Sequence, residues 1–274
     1  MQYNWLSKDG SGGLELIQIS DDELRKLCAS TIALLSAEKV PPGMYQVICS
    51  PDVSGVIAHE AFGHGVELDM FLKDRARSKQ YLGKRIASPL VNILDDPSYP
   101  SGHGSYFFDD EGQLASPTYI IRHGVFERGL SDLFSAHSLH IPRSANGRRE
   151  SFERKVYARM SNTFFARGDT PIQQMIESVE RGIYLHQTSS GMEDPKGWGM
   201  QVTSHYGQEI LNGKTTGRLF APVGITGYVP DILESISAVG DDFALSAGTC
   251  GKGHKEWVPI SSGGPHLKLE ARLG

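Results

Sequence analysis

The stretch WGMQVTSHYGQEILNGKTTGRLF, residues 198–220, decides the fold class of this chain. Its Asn212-Gly213 dipeptide is the strongest short-range signal for a two-residue hairpin turn, so the stretch predicts a long antiparallel hairpin. Further strand patterns extend this prediction to a strand-rich, mostly antiparallel α+β domain with a few helices. They lie at residues 88–97, 117–130 and 242–270.

Two segments outside these strands have strong helical patterns. In residues 19–40, Ser20 and Glu23 predict a capping box, and Cys28 falls on the apolar face as a small core residue. In residues 169–185, Thr170 as the cap and Pro171 at the first helical position predict a second helix, which ends just before Gly182.

The composition is that of an ordinary globular protein. The chain has 274 residues, is 39% hydrophobic and carries a net charge of −5, which argues against a nucleic-acid partner. No apolar run is long enough to span a bilayer, and the first residues lack the pattern of a signal peptide. The odd number of widely spaced cysteines (Cys28, Cys49 and Cys250) argues against a disulfide framework and for the reducing cytoplasm.

The segment SGVIAHEAFGHGVELD, residues 54–69, contains His59, Glu60 and His64. Zinc hydrolases commonly carry H-E-x-x-H, in which two histidines four residues apart share one helix face. Here the spacing is five, and in a regular helix the second ring would point roughly 140° away from the first. A π-bulge, or a helix that ends near Gly63, would bring the rings together. Spacing alone leaves open a pair of hydrogen-bonded core histidines.

The segment HEAFGHGVELD closely resembles the zinc motif of the TldD/PmbA family, which is labelled as modulators of DNA gyrase and understood as metalloproteases. Four further blocks resemble the family in the same order, and the likeness extends from about residue 40 to the C-terminus. These blocks are NGRRESFERKVYARMSNTFF (146–165), TPIQQMIESVERGIY (170–184), ISAVGDDFAL (236–245) and GTCGKGHKEWVPISSGGPHLKLE (248–270).

The resemblance implies a catalytic, TldD-type subunit, because PmbA/TldE-type partners lack the H-E-x-x-x-H motif. It implies that His59, His64 and Cys250 bind Zn²⁺, and that Glu60 acts as the general base on a zinc-bound water. The implied reaction is hydrolysis of peptide bonds in unfolded or flexible peptides. The alternative is a non-catalytic peptide-binding or partner subunit with an empty metal site. Direct action on gyrase or DNA follows only from the family label, and the acidic net charge disfavours it.

The sequence identifies no residue that binds the substrate. Residues 191–199, GMEDPKGWG, would let an extended peptide approach a strand edge, or form a plain surface loop. Donors for an oxyanion can be proposed by residue type alone, and a structural role is favoured for each of them. These candidates are Arg148, His205, Tyr206 and His254.

Family members also have an N-terminal domain and form dimers around an enclosed chamber. We therefore expect residues 1–40 to be a remnant of that domain or a linker helix, and residues 41–274 to be the catalytic domain. The expected partner is a second copy of the chain or a PmbA/TldE-type subunit. No membrane partner is expected.

Overall fold

The computed structural model describes residues 2–10, 12–253 and 256–274. The helices in this part of the chain are α1 (Asp21–Ala33), α2 (Pro51–Phe62), α3 (Leu68–Leu72), α4 (Leu133–Leu139), α5 (Ile172–Glu177) and α6 (Val229–Glu234). The strands are β1 (Gly43–Cys49), β2 (Ile93–Asp95), β3 (Thr118–Arg122), β4 (Val125–Phe126), β5 (Gly147–Arg148), β6 (Tyr157–Ala158), β7 (Asn162–Phe165), β8 (Arg181–Asp194), β9 (Gly199–Leu211), β10 (Lys214–Phe220), β11 (Val223–Tyr228), β12 (Ala238–Val239), β13 (Ala244–Cys250), β14 (Val258–Gly264) and β15 (Leu267–Leu273).

Five strands close into a barrel in the order β1-β8-β9-β11-β15, because β15 pairs back onto β1. Strand β10 continues from β9 as the predicted hairpin, with Asn212 and Gly213 at positive φ in its turn. Inward side chains such as Val47, Leu185 and Val202 are buried and belong to the main hydrophobic core. Closure leaves these strands with a common apolar interior.

A second sheet has the order β13-β14-β7-β2-β3-β4, and β5 and β6 form a separate two-stranded ribbon. Most strand pairs in the described residues are antiparallel, but β1 and β8 are parallel, as are β14 and β7. The strand-rich α+β prediction is therefore confirmed, with sheets that are mixed.

Helix α2 lies between the barrel and the second sheet, where it contacts β8 on one side and β7 and β14 on the other. Nearly all of its residues are buried. Gly55 permits this position, because a Cβ there would collide with the backbone of Gly263 in β14. The helix that carries the first histidine is thus held at the junction of the two sheets.

Two helix predictions need correction. The capping box of Ser20 and Glu23 is present, but Cys28 is exposed rather than in the core, because no residue of α1 is buried. The helix predicted from Pro171 to just before Gly182 ends at Glu177, and Thr170 does not cap it, because no side chain caps its start. The chain then enters β8, which pairs with β1 and β9 from Arg181 onward. None of the helices in the described parts of the chain has the length and apolarity needed to cross a membrane.

Candidate metal centre

The end of α2 resolves the five-residue spacing of the histidines. The helix stops at Phe62, and His64 begins a separate 3₁₀ turn, His64–Val66. Gly63 lies at the break, where a Cβ would meet Met160 Sδ and the His59 carbonyl oxygen. Of the two routes open at the sequence level, the structure has the ended helix rather than the π-bulge. His64 turns back and its ring centroid lies 5.2 Å from that of His59.

Cys250, at the end of β13, completes the cluster. Its Sγ lies 3.3 Å from His59 Nε2 and 3.1 Å from His64 Nε2. The three ligand atoms all lie within 4.8 Å of one another. His59 and Cys250 are buried, whereas the His64 side chain is 22% exposed. Of the three ligand side chains, only that of His64 is partly exposed to solvent.

The two imidazoles change the acidity of the sulfur. Burial opposes ionisation, but His59 and His64 nevertheless lower the pKa of the Cys250 thiol to about 5. Burial likewise opposes the charged form of both imidazoles, yet their contact with Cys250 raises the pKa of each ring. The thiolate is the form of cysteine that binds metals.

These three residues fit a zinc ion. Imidazole nitrogens and cysteine thiolates are both usual zinc ligands, and catalytic zinc sites have three protein ligands with a fourth position left open. Usual zinc bond lengths place a ligand nitrogen and a ligand sulfur roughly 3.5 Å apart. The observed nitrogen–sulfur separations of 3.1 and 3.3 Å are close to that value. A small outward movement of the side chains would accommodate the ion.

Glu60 is buried next to this cluster and touches the barrel strand β8. A Cβ built on Gly191 would lie 2.7 Å from Glu60 Cγ and 2.8 Å from Glu60 Oε1. The segment 191–199 is therefore not a plain surface loop at its start, because Gly191 packs directly against the candidate base.

A buried group of charges behind His64 was missed by the sequence reasoning. Glu67 Oε2 lies 3.5 Å from His64 Nδ1 and 3.0 Å from Lys252 Nζ. Burial would raise the pKa of Glu67, but Lys252, His64 and Arg159 hold it well below its usual value. Glu67 follows His64 by three residues, so the sequence did contain a signal for a supporting carboxylate.

Glu193 is a second missed carboxyl group. Both of its oxygens are buried and have no hydrogen-bond partner among the described residues. One of them comes within 2.7 Å of the position that a Cβ on Gly65 would occupy. Burial raises the pKa of Glu193 well above its usual value, so the group favours its neutral form at this position.

The oxyanion candidates proposed by residue type have other contacts. Arg148 donates to the carbonyl oxygens of Met160 and Pro259. His205 Nε2 donates to the Tyr3 carbonyl oxygen at 2.7 Å, and Tyr206 stacks on His186. His254 lies outside the described residues. None of the three described candidates belongs to the histidine–cysteine cluster.

Fold and cluster together define the class of protein: an α+β domain with a histidine–cysteine cluster that could hold a metal ion. Residues 42–272 match the profile of the PmbA/TldA metallopeptidase C-terminal domain. The chain therefore belongs to the TldD/PmbA family.

Individual relatives agree with this assignment. A metalloprotease of Methanothermobacter thermautotrophicus is 33% identical over 271 residues, covering 98% of this chain and 59% of that protein. A zinc metalloprotease TldD homolog of Saccharolobus solfataricus is 31% identical over 229 residues, covering 83% of this chain and 51% of that protein. The chain thus spans between half and three fifths of the length of these relatives.

The fold also matches solved structures. TldE from Thermococcus kodakarensis superposes with a TM-score of 0.73 over 92% of this chain and 56% of that one. The identity is 18%, so this likeness shows the shared fold alone.

Proposed function

We propose that the chain is the catalytic part of a zinc-dependent peptidase of the TldD type. The observation that carries the proposal is the convergence of His59, His64 and Cys250 within 4.8 Å, next to Glu60. The names of the relatives support a metal-dependent protease, and one of them includes zinc.

In this proposal His59, His64 and Cys250 hold the zinc ion. When bound, zinc would supply a Lewis acid that lowers the pKa of water and stabilises negative charge on the scissile carbonyl oxygen. Glu60 accepts the proton of the attacking water at a carboxylate oxygen and returns it to the leaving amine. The contact with Gly191 limits the positions that the Glu60 side chain can take.

The proposed substrate is a peptide in an extended conformation. From Thr188 to Asp194, β8 pairs with β9 on one side, and no other described strand pairs with the opposite side. An extended peptide can add to such an edge through its main chain, with little dependence on its side chains. Unfolded or flexible peptides meet this requirement, because their backbone groups are free.

Cleavage of an unstructured peptide by the purified chain tests the proposal. We expect a chelator to stop cleavage and added zinc to restore it. Glu60→Gln should retain zinc but lose activity by at least about 100-fold, the usual contribution of a general base. Glu234→Gln, at an exposed position on α6, is the matched control and should behave as the parent chain does.

Three results would count against the proposal. Cleavage that persists in chelator contradicts metal dependence. Full activity of Glu60→Gln excludes Glu60 as the base. A zinc-loaded chain that binds but never cleaves peptides favours the non-catalytic alternative.

We further propose that the chain pairs with a second copy or with a PmbA/TldE-type subunit. The fold shared with TldE is compatible with such a pair, since related folds can present matching surfaces. Exposed apolar side chains, including Phe107, Phe134 and Phe152, are available for contact. Light scattering should give the mass of a dimer; a monomer mass both alone and with the partner subunit would exclude the pair.

The cytoplasmic location and the boundary near residue 40 remain predictions.

A further inference from the structure

The fully buried cation Arg159 contacts Cys250 directly and is connected to His64 through Glu67. Its Nε donates to Glu67 Oε1 at 3.3 Å, and its Nη2 donates to the Cys250 carbonyl oxygen at 2.8 Å. Its Nη1 donates to the Glu256 carbonyl oxygen. The residue is 0% exposed. One guanidinium group thus joins the carboxylate behind His64 to the main chain of Cys250.

Glu67 connects Arg159 to His64. Its Oε2 lies 3.5 Å from His64 Nδ1, while the Nε2 of the same ring faces Cys250 Sγ at 3.1 Å. Metal-binding histidines commonly donate their second N–H to a carboxylate, which fixes the orientation of the ring. Glu67 can do this only while its own position is fixed, and Arg159 and Lys252 are the cations that hold it.

We propose that Arg159 is a positioning residue for the metal centre. It holds His64, through Glu67, and Cys250 in one arrangement before an ion binds. This inference rests on the proposed zinc function. The two ligands are 186 residues apart in the chain, so their mutual placement depends on tertiary contacts of this kind.

The role requires the shape of arginine as well as its charge. The guanidinium donates from a rigid planar fork, whereas the ammonium of lysine is a single point on a flexible stem. Arg159 uses the fork to reach a carboxylate and two carbonyl oxygens at once. Lys252 also neutralises Glu67, but its other hydrogen bonds in the described chain go to Asp69 and to the Ala158 carbonyl oxygen. Lys252 therefore does not replace the link to Cys250.

Arg159→Lys in the full chain tests this role, because the substitution keeps the charge and removes the fork. We expect the zinc Kd, measured by competition with a chromophoric chelator, to rise by about 10- to 100-fold, the usual effect of losing a supporting contact. Arg148→Lys is the matched control. Arg148 is also buried and donates to two carbonyl oxygens, at 2.6 and 2.8 Å, but these belong to Met160 and Pro259. Its zinc Kd should equal that of the parent chain.

Unfolding midpoints of the metal-free proteins separate a general loss of stability from a specific loss of zinc affinity. Both lysine variants are expected to have lower unfolding midpoints than the parent chain. Only Arg159→Lys should also bind zinc more weakly. An unchanged Kd in Arg159→Lys overturns the positioning role and leaves the proposed peptidase intact. A parent chain that binds no zinc overturns both proposals.

A second variant keeps the test valid if Arg159→Lys does not fold. Glu67→Gln preserves the size of the side chain and removes the carboxylate that connects Arg159 to His64. It should raise the zinc Kd in the same range of about 10- to 100-fold. Parent-like zinc binding by Glu67→Gln would equally contradict the proposed link.

Discussion

Gly191 and Glu60 are close enough that position 191 tolerates no side chain without movement. A Cβ there would lie 2.6 Å from Val56 Cγ1 and 2.8 Å from Glu60 Oε1, closer than van der Waals contact allows. Either β8 or the Glu60 carboxylate must shift to admit even a methyl group. The position of the candidate base is therefore coupled to a residue on another element.

Gly191→Ala should lower peptide cleavage by about 10- to 100-fold, because a displacement near 1 Å of a reacting group has effects of that size. Zinc content should not change, since Gly191 does not contact the ligand cluster in the described structure. Gly199→Ala is the control on the facing strand of the same hairpin, where a Cβ would meet nothing within 4 Å. Equal activities of the two variants, measured with one peptide, would show that this contact does not position Glu60.

At the scale of single residues, only part of the candidate site could be predicted from the sequence. His59, Glu60 and His64 could be recognised from their local spacing, although the spacing alone did not decide between metal ligands and core histidines. Cys250 entered only through the family resemblance, because a ligand so far along the chain leaves no local pattern. Arg159 and Lys252 could not be recognised at all, since a charged residue in sequence is usually solvent-exposed.

At the scale of elements, the second sheet depends on the buried carboxylate of Asp95 in β2. Asp95 accepts hydrogen bonds from Asn146 Nδ2, from Ser161 N and Oγ, and from Thr163 Oγ1, at 2.6 to 2.8 Å. These donors come from β7 and from the residues that precede β5 and β7. A carboxylate offers acceptors only, so it satisfies a group of donors that an amide would not.

Asp95→Asn should therefore destabilise the fold by about 3 kcal/mol, because its NH₂ group would face donors and leave buried groups unsatisfied. Urea unfolding measures this loss. The neighbouring Asp96→Asn is the control, because among the described residues the Asp96 carboxylate accepts hydrogen bonds only from the nearby Ser98 and the residue is partly exposed. We expect its effect to stay below about 1 kcal/mol. Equal losses in the two variants would argue against a special role for Asp95.

The elements that the sequence predicted best are those with local signals. The hairpin around Asn212-Gly213 is present because its turn residues specify the geometry by themselves. The helix predicted to run from Pro171 to just before Gly182 was too long, because it ends at Glu177. Strand β8 begins at Arg181, and its residues Gly182–Leu185 lie beside β1 as a parallel strand. That partner is more than a hundred residues away, and pairing with it overrides local preference.

At the scale of the whole molecule, the barrel and the second sheet bring distant residues together. Helix α2 supplies His59 and Glu60 from between the sheets, while β13 of the second sheet ends at Cys250. β8 of the barrel places Gly191 against Glu60. The candidate centre therefore exists only where both sheets and α2 meet, which explains why no single segment of the sequence could define it.

X-ray absorption at the zinc edge of the zinc-loaded chain tests the central claim most directly. We predict one sulfur at about 2.3 Å and two imidazole nitrogens at about 2.0 Å from the ion. The sulfur signal should disappear in Cys250→Ser and persist in Cys28→Ser, which changes an exposed thiol on α1. A stoichiometrically loaded parent chain without a sulfur neighbour would contradict the proposed centre.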